Sequence, residues 1–426
     1  MERKMKDSGT SWIGYIPEHW NISKIGQLYD NRYERVSDKD FEPLSVTMQG
    51  ILPQLDTAAK TDDGDNRKLV RKGDFAINSR SDRRGSCGIS PRDGSVSLIN
   101  LILAPRTSMN ANYYNWLFHT PLFADEFYSW GHGIVADLWT TRWQEMKNIA
   151  IPVPTLSEQE SIANYLDKKC GEIDELIEVE QQMISDLELY RQTVITEVVT
   201  HGLNPNAPLR DSGNDWIGKI PEYWEKIPVQ HFFEFRNGYT PSKANTSFWT
   251  NGTIPWFRME DIRKSGRFLK ESLQYITPEA LNNGGTFEAG SFILAICTAS
   301  IGEHALLIAD SLANQRFTNL KIRKSLISRV GTKYIYYYMY ILGDFCRKTA
   351  IVTTFPYADM NRVKNFIVPT PSFPEQQEIA DYLDAKCAEI NELIKVKQEK
   401  IETLKQYRQS LIFEAVTGKT LITINA

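Results

Sequence analysis

The sequence predicts a mixed α+β protein in which two globular domains alternate with two long helices. An internal repeat and two extended helical patterns carry this prediction. Residues 7–20 (DSGTSWIGYIPEHW) recur at 211–224 (DSGNDWIGKIPEYW), an offset of 204. Residues 158–200 recur at 375–417 with 25 of 43 positions identical, an offset of 217. We therefore expect two halves in a pseudo-two-fold relation.

The repeat divides the 426 residues into five parts. We expect a short N-terminal segment (1–20, repeated at 211–224), a first globular domain (21–153), a central helical spacer (154–224), a second globular domain (225–370) and a distal helical spacer (371–426). The globular segments differ in sequence, although aromatic runs at 113–118 and 334–342 predict a packed core helix in each.

Each long helix has start and stop signals. Capping boxes at 155–158 and 372–375 predict the starts, and Gly202 and Gly418 predict the ends. Between them, apolar residues recur with a heptad-like spacing. A helix of 43 residues would be about 65 Å long and would need a partner along its apolar seam.

The charges of the two helices indicate that they pair with each other. Residues 158–200 hold 11 acids and 3 bases, whereas 375–417 hold 9 acids and 6 bases. Glutamates of the first copy align with lysines of the second at Glu178/Lys395, Glu180/Lys397 and Glu188/Lys405. Opposite charges favour an antiparallel coiled coil within one chain and discourage pairing of like helices, although two separate solvated helices would also fit the pattern. Such a pair would fix the distance between the globular domains.

The candidate coiled-coil and partner-docking positions are those of the heptad pattern and its charged interruption. They are Ile173, Leu176, Glu180, Leu187 and Tyr190 in the first helix, and Ile390, Leu393, Lys397, Leu404 and Tyr407 in the second.

Charge is distributed unevenly along the chain. The formal net charge of -4 excludes a uniformly basic surface, yet 225–374 holds 18 bases and 11 acids. Segment 21–157 is balanced, with 16 of each. A basic globular domain attached to acidic helices is typical of a protein whose ends contact an anion such as DNA.

Arg, Lys, Asn, Gln, Ser and Thr in loops are the candidate DNA contacts, because these side chains bond to phosphates and base edges. A solvated loop is the alternative interpretation of each group. In the first domain the candidates are Lys68, Arg71, Asn78, Arg80, Arg83, Arg84, Thr140 and Thr141. In the second they are Thr240, Ser242, Lys243, Arg258, Arg263, Gln315 and Arg316.

Motifs for catalysis are missing from the sequence. There is no P-loop, no GxGxxG and no CxxC, and the six histidines lack metal-ligand spacing. We therefore predict no catalytic residue, no metal site and no cofactor in this chain. No apolar run approaches the ~18 residues of a membrane span and no signal peptide is visible, so we expect a cytoplasmic protein.

Several motifs together resemble the DNA specificity subunit of type I restriction-modification systems. They are the doubled D-S-G-x-x-W-I-G-x-I-P-E-x-W segment, P-x-x-x-E-Q-x-x-I-A-x-Y-L-D at 154–167 and 371–384, and GYTPSK at 238–243 with IPW at 254–256. The resemblance covers nearly the whole chain, but it is weakest inside the first globular domain.

The resemblance implies that each globular domain is a target-recognition domain that reads one half of a bipartite sequence in double-stranded DNA. It further implies that the helices act as spacers and as docking sites for two modification subunits, which carry S-adenosylmethionine and methylate adenine N6. Restriction subunits that use ATP and Mg²⁺ would join the complex. This chain itself would be non-catalytic.

Two other functions are compatible with the sequence. A coiled-coil scaffold with protein-binding terminal domains would share the helices, but it would not need the Asn/Gln/Arg loops of the basic second domain. A stand-alone nuclease would cut DNA with Mg²⁺ and no partner.

Overall fold

The protein is described by a computed structural model that covers residues 3–54, 64–133, 139–352 and 356–422. Its contacts divide the chain into unit 1 (Met1–Gln181 with Lys397–Ala426) and unit 2 (Gln182–Val396). Each unit combines a globular domain with part of both long helices. Because the division passes through the helices, the five-part limits expected from the sequence stay a prediction.

Among its described residues, unit 1 contains short strands, four short α-helices, the first part of one long helix and the last part of the other. The strands are β1 Met5–Asp7, β2 Tyr15–Pro17, β3 Asn21–Lys24, β4 Tyr29–Asn31, β5 Arg35–Val36, β6 Leu44–Thr47, β7 Gly50–Pro53, β8 Arg67–Val70, β9 Phe75–Asn78, β10 Cys87–Ile89, β11 Gly94–Val96, β12 Asn100–Pro105 and β13 Ala150–Val153. The helices are α1 Ile25–Leu28, α2 Ala111–Phe118, α3 Pro121–Ser129, α4 Trp143–Met146 and α5 Leu156–His201.

The core of unit 1 lies between a sheet and two aromatic helices. The sheet has the order β10-β9-β12-β4, and β11-β8-β5 forms a second sheet. Asn110 and Thr120 cap α2 and α3 by accepting backbone N–H bonds, which fixes where each helix begins. Phe118 of α2 then packs on Phe75 of β9 with ring centroids 4.7 Å apart. The predicted packed helix at 113–118 is confirmed by this burial.

Unit 2 repeats this plan with more strands in its main sheet. The strands are β14 Leu209–Asp211, β15 Lys219–Pro221, β16 Glu225–Pro228, β17 Phe233–Asn237, β18 Ile254–Phe257, β19 Phe268–Leu269, β20 Tyr275–Ile276, β21 Phe292–Ala295, β22 His304–Leu307, β23 Leu312–Ala313, β24 Phe317–Ile322 and β25 Ile367–Thr370. The helices are α6 Val229–Phe232, α7 Met259–Ser265, α8 Thr332–Lys348, α9 Met360–Asn365 and α10 Phe373–Val416.

The main sheet of unit 2 has the order β17-β24-β21-β22-β19, and its core helix is α8. Tyr334 and Tyr338 of α8 are at most 1% exposed, which confirms the packed helix predicted at 334–342. Gly343 of α8 lies against the backbone of Gly302, where an added Cβ would approach a carbonyl oxygen to 2.2 Å. Only glycines permit that approach.

The long helices begin and end where the sequence signals predict. Thr155 and Glu158 form a reciprocal capping box, with bonds of 3.2 and 3.3 Å between side chain and backbone, and α5 begins at the next residue, Leu156. Gly202 and Gly418 have φ of 77° and 70° and follow the ends of α5 and α10. The predicted stop signals are therefore confirmed.

Within each unit the helix segments run antiparallel. In unit 1, Asp174 pairs with Arg408 and Glu180 with Lys397, so numbers rise along α5 as they fall along α10. In unit 2, Arg191 donates to Asn391 at 2.5 Å. The predicted antiparallel pairing of the two helices is confirmed.

Not every apolar position of the heptad pattern lies between the helices. Ile173 and Ile390 are at most 5% exposed, and Leu187 and Leu404 are partly buried. Four predicted positions instead face outward at 46–54% exposure, which corrects their assignment to the seam: Leu176, Tyr190, Leu393 and Tyr407. The seam of a two-helix pair is narrow, so apolar residues beside it remain uncovered by the partner helix.

Equivalent contacts join the globular domain to the helices in the two units. Tyr113 donates to the carbonyl of Val416 in unit 1, and Tyr334 donates to that of Val199 in unit 2. The two carbonyls lie at the repeat offset of 217. Similarly, Trp116 donates to Asp167 in unit 1 and Tyr337 to Asp384 in unit 2, again at that offset.

The last tryptophan of each copy of the N-terminal motif forms a hydrogen bond with the start of a long helix. The indole of Trp20 donates to Glu158 at 3.0 Å in unit 1, and the indole of Trp224 donates to Glu375 at 3.1 Å in unit 2. In unit 1, Arg3 adds a bond of 2.9 Å to Glu158. The repeated tryptophans therefore anchor the start of each long helix within its own unit.

Candidate nucleic-acid interface

The candidate contacts of unit 1 concentrate on the loop 79–86, which we call the arginine loop. It follows β9 and carries three arginines and one aspartate, so its formal charge is +2. Arg80, Arg83 and Arg84 are all exposed. A short, basic, exposed loop at a strand end can contact DNA phosphates and reach base edges.

A second segment, 139–141, crosses the arginine loop and holds its backbone. Ser81 N donates to the carbonyl of Trp139 at 3.1 Å, and Thr141 N donates to that of Ser79 at 3.0 Å. Arg80 and Thr140 form an isolated bridge between these bonds. The structure therefore brings the predicted residues Arg80, Arg83, Arg84 and Thr140 together.

The arginines of this loop differ in their surroundings. Arg84 pairs with Asp125 and lies 5.7 Å from the centroid of the Tyr128 ring. Arg83 lies 3.8 Å from Asp82, its sequence neighbour, and is 70% exposed. Arg84 therefore has a packing role as well as a charge, whereas Arg83 projects mainly into solvent.

Three candidates of the first domain are buried, and the structure corrects their assignment as surface contacts. Lys68 is 4% exposed, donates to the carbonyl of Asn100 at 2.7 Å, and has a pKa that burial lowers. Asn78 is 6% exposed and accepts from Arg80 N, and Thr141 is fully buried and donates to the carbonyl of Phe127. Their polar atoms form hydrogen bonds with backbone groups inside the domain rather than with a ligand.

Arg71 is exposed but lies apart from the arginine loop. It belongs to the turn between β8 and β9, whereas the loop follows the other end of β9. Its guanidinium lies 3.8 Å from a Glu34 carboxylate oxygen. The strand β9 thus separates this candidate from the other arginines.

In unit 2 the candidates lie on several turns that meet beside β24. Thr240 donates to the side chain of Gln315, and Gly238 packs against the carbonyl of Asn314 so closely that an added Cβ would lie 2.2 Å away. Asn314 N donates to the carbonyl of Phe257, which places Arg258 next to this group. Gln315 and Arg316 are exposed.

The remaining candidates of unit 2 surround these turns. Ser242 and Lys243 are exposed, and the carbonyl of Ser242 accepts from the indole of Trp249 at 3.1 Å. Arg263 is exposed on α7, five residues beyond Arg258. All seven predicted residues thus lie on the globular domain of unit 2, and their contact with DNA stays a prediction.

Sequence reasoning missed one loop of unit 2. Residues 296–303 connect β21 to β22 as the arginine loop connects β9 to β10. The loop holds no basic residue, so its composition gives no sign of an anionic ligand. Its position in the sequence was an available signal, because residues 296–303 lie 217 positions after the arginine loop, the same offset that relates the long helices.

The part of the chain that the structure describes shows no group of His, Cys, Asp and Glu side chains able to hold a metal ion. It also shows no helix that is both long and apolar enough to cross a membrane.

Sequence comparisons relate the chain to one family. Residues 221–403 match the family described as "Type I restriction modification DNA specificity domain". The type I restriction enzyme EcoprrI specificity subunit of Escherichia coli is 42% identical over 167 residues, which are 38% of this chain and 41% of that protein. The EcoR124I/EcoR124II specificity subunit of Escherichia coli is 25% identical over 301 residues, 66% of this chain and 67% of that protein.

A third relative, the MjaVIII specificity subunit of Methanocaldococcus jannaschii, is 23% identical over 282 residues, which are 64% of this chain and 62% of that protein. The matches thus span between 41% and 67% of these three relatives' own lengths. The predicted resemblance to type I specificity subunits is confirmed.

Comparison with solved structures extends the likeness in fold to nearly the whole chain. A chain from a study of complex assembly and conformational transition of the type I R-M system matches with a TM-score of 0.71 at 16% identity. That match covers 95% of this chain and 99% of the other. The HsdS subunit from Thermoanaerobacter tengcongensis matches with a TM-score of 0.51 at 19% identity, over 95% and 98% of the two chains. The predicted α+β fold with its paired helices is confirmed.

Proposed function

We propose that this chain is the DNA specificity subunit of a type I restriction-modification complex. Each globular domain reads one half of a bipartite target in double-stranded DNA, and the helices set the gap between the halves. The chain is non-catalytic and acts in the cytoplasm. Its similarity to specificity subunits supports the class of function, and the geometry of the two units supports the division of labour.

The observation that carries the proposal is that two units of one design present different chemistry. Both units anchor a tryptophan motif to a helix start and a core tyrosine to a helix end. By contrast, the loop between β9 and β10 of unit 1 is basic, whereas the corresponding loop between β21 and β22 of unit 2 holds no basic residue. Two modules of one plan with dissimilar surfaces are what recognition of two different half-sites requires.

Binding by both modules explains how modest surfaces can reach useful affinity. When one domain has engaged DNA, the second binds as an intramolecular event with a high effective concentration. Lysines and arginines contribute through phosphate contacts that added salt weakens. Asn, Gln, Ser and Thr side chains contribute selectivity by contacting base edges.

The helices carry a surface suited to two copies of one partner. Each unit exposes a leucine, a valine and a tyrosine at 46–54% of their full area, and the two sets are related by the repeat offset of 217. The residues are Leu176, Val179 and Tyr407 in unit 1, and Leu393, Val396 and Tyr190 in unit 2. Exposed apolar residues grouped this way mark protein interfaces.

We propose that two modification subunits dock on these two faces, and that restriction subunits join that complex. S-adenosylmethionine, ATP and Mg²⁺ belong to those partners. Adenine methylation requires that the base leave the stack, and the pocket for the flipped base belongs to the modification subunit. This chain determines the DNA sequence at which that chemistry occurs.

An exchange of domains tests the proposal. The chain and its modification subunit are expressed in cells that lack other adenine methylation, and the methylated motif is read by genome-wide methylation sequencing. Residues 225–370 are then replaced by the corresponding segment of another specificity subunit. We expect a bipartite motif in which only one half changes.

The matched control replaces residues 21–153 and should change only the other half. A motif that changes in both halves, or a chain that directs no methylation, would refute the proposal. Purified chain that cuts DNA with Mg²⁺ alone would instead support a stand-alone nuclease. Binding to DNA that does not weaken with added salt would favour the scaffold alternative.

A further inference from the structure

The internal repeat extends into a loop of the globular domains whose sequence does not reveal it. The arginine loop spans 79–86, and its counterpart spans 296–303, so both have eight residues at an offset of 217. We call the second one the hydroxyl loop, because it carries Thr298 and Ser300. Gly85 and Gly302 occupy the same place in the two loops with φ of 77° and 84°.

The backbone hydrogen bonds of the two loops also correspond. Ser81 N donates to the carbonyl of Trp139 at 3.1 Å, and Thr298 N donates to that of Pro356 at 2.7 Å. The crossing segment returns the contact in both units. Thr141 N donates to Ser79 O at 3.0 Å in unit 1, and the equivalent bond of 2.8 Å in unit 2 runs from residue 358 to residue 296.

The hydroxyl loop is held in an unusual conformation. Thr298 has φ of 65°, a left-handed value that a β-branched residue rarely adopts. Such strain persists only where the surroundings impose it, and it concentrates at functional sites. Here the imposed features are the bond to Pro356 and the close packing of Gly302 on Gly343.

The loop is continuous with the candidate DNA contacts of unit 2. Ile296 N donates to the carbonyl of Arg316 at 2.9 Å, and Arg316 follows Gln315, which binds Thr240. On the other side, the backbone of Cys297 forms an isolated β-bridge with that of Tyr357, a residue that is 46% exposed. Residues that lie far apart along the chain thus form one surface.

We propose that Thr298, Ser300 and Tyr357 form a sequence-reading element of the second domain, equivalent in position to the arginine loop. This assignment rests on the proposed function and adds the residues through which one half-site is read. The element holds no cation, so it contacts base edges with hydroxyl groups and an aromatic ring. It therefore contributes to selectivity and little to salt-dependent affinity.

Replacement of Thr298 by glycine separates reading from folding. Glycine accepts a φ of 65° without strain, so T298G should fold at least as stably as the parent chain. The same variant lacks the side chain that would contact DNA. In the complex with the modification subunit, we expect the half-site assigned to 225–370 to lose about tenfold discrimination at one or more positions.

The matched control is Asn251→Gly. Asn251 is the other described non-glycine residue with positive φ, at 56°, and it lies in the turn before β18 rather than in the loop between β21 and β22. N251G should leave the methylated motif unchanged. Relaxation of the motif by N251G to the same degree would overturn the assignment, because it would trace the effect to a backbone change.

Two further variants test the chemistry. S300A and Y357A should relax the same half-site while the other half stays intact. Ser300 is the counterpart of Arg83, so S300R should strengthen binding to a random duplex and steepen its salt dependence by about one ion. Ser300 is partly exposed, and S328R, which adds an arginine at an exposed serine of unit 2, is the charge-matched control.

The outcomes distinguish failure of the proposed function from failure of the reading element alone. If the parent chain directs no motif, the proposed function fails. If the parent chain directs a motif that T298G, S300A and Y357A all leave unchanged, only the reading element fails. If S300R and S328R steepen the salt dependence equally, the loop is not at the DNA surface and the assignment is wrong.

Discussion

Lys397 donates a hydrogen bond to Glu180 at 2.9 Å, and these two residues occupy the same position in the two copies of the repeat. Lys400 donates to the other carboxylate oxygen of Glu180 at 2.6 Å. At this point of the antiparallel pair, equivalent residues of the two copies lie opposite each other. Identical helices would bring like charges together here, so the Glu–Lys difference favours pairing of the two unlike copies.

Reversing the charge of Glu180 should destabilise unit 1. In E180K the new ammonium would face Lys397 and Lys400, and we expect a fall in melting temperature of roughly 5 °C. E180K/K397E should recover part of the loss, since it restores one opposite-charge pair. Scanning calorimetry measures both. The exposed E178K is the control, and an equal loss there would show that the effect is one of net charge rather than of this pairing.

The anchor of the first tryptophan motif should depend on pH. Burial raises the pKa of Glu158, but bonds from Trp20, His19 and Thr155 outweigh it and lower the pKa to about 2. A lowered pKa means that the ionised carboxylate stabilises the fold above its ordinary pKa and loses this contribution as pH falls towards about 2. Arg3, which pairs with the same carboxylate, keeps its charge throughout.

E158Q lacks this contribution at every pH. Its melting temperature should lie roughly 3 °C below that of the parent at pH 7, and the gap should narrow as pH falls from about 5 towards 3. E160Q, an exposed neighbour on α5, is the control and should show no gap. A gap for E158Q that stays constant over this range would refute the electrostatic origin of the anchor.

The arginine loop should govern affinity for DNA. R83A/R84A should weaken DNA binding by the partner-loaded complex. The slope of log affinity against log salt concentration should fall by about one for each phosphate that the loop no longer neutralises. Because Arg84 also packs on Tyr128, the single variant R83A separates charge from packing. Fluorescence anisotropy across a salt series measures this. Unaltered affinity of R83A and of the double variant would move the DNA site of the first domain elsewhere.

The helices should act as a spacer of defined length. Insertion of about four residues, close to one helical turn, into both α5 and α10 should rotate the apolar seam by only about 40° and lengthen the gap in the methylated motif. Insertion into one helix alone should disturb the pairing and reduce methylation. An unchanged gap after the double insertion would refute the spacer role.

Much of the fold follows from local signals in the sequence. The capping boxes and glycines gave the helix limits because helix ends depend on neighbouring residues. The outward position of Leu176 and Tyr190 did not follow from the pattern. A heptad pattern counts apolar residues, but only packing decides which of two adjacent ones faces the partner helix.

The site was predicted less completely, for two physical reasons. Lys68 and Thr141 have polar side chains that satisfy buried carbonyls, and a sequence cannot distinguish this role from exposure. Thr298 and Ser300 carry no charge, so the composition of their loop did not mark it as a candidate, and the matching backbone bonds of the two loops became visible only in the structure. The basic loop at 79–86 was predicted because several cations in one short segment are seldom buried.

The back-to-back packing of Gly302 and Gly343 bears on how such a protein changes over generations. With the loop backbone clamped to the core helix, side chains at the tip are free to vary without a new chain path. If the loop reads DNA as proposed, a single codon substitution at its tip would alter the recognised sequence at little cost to the stability of the fold.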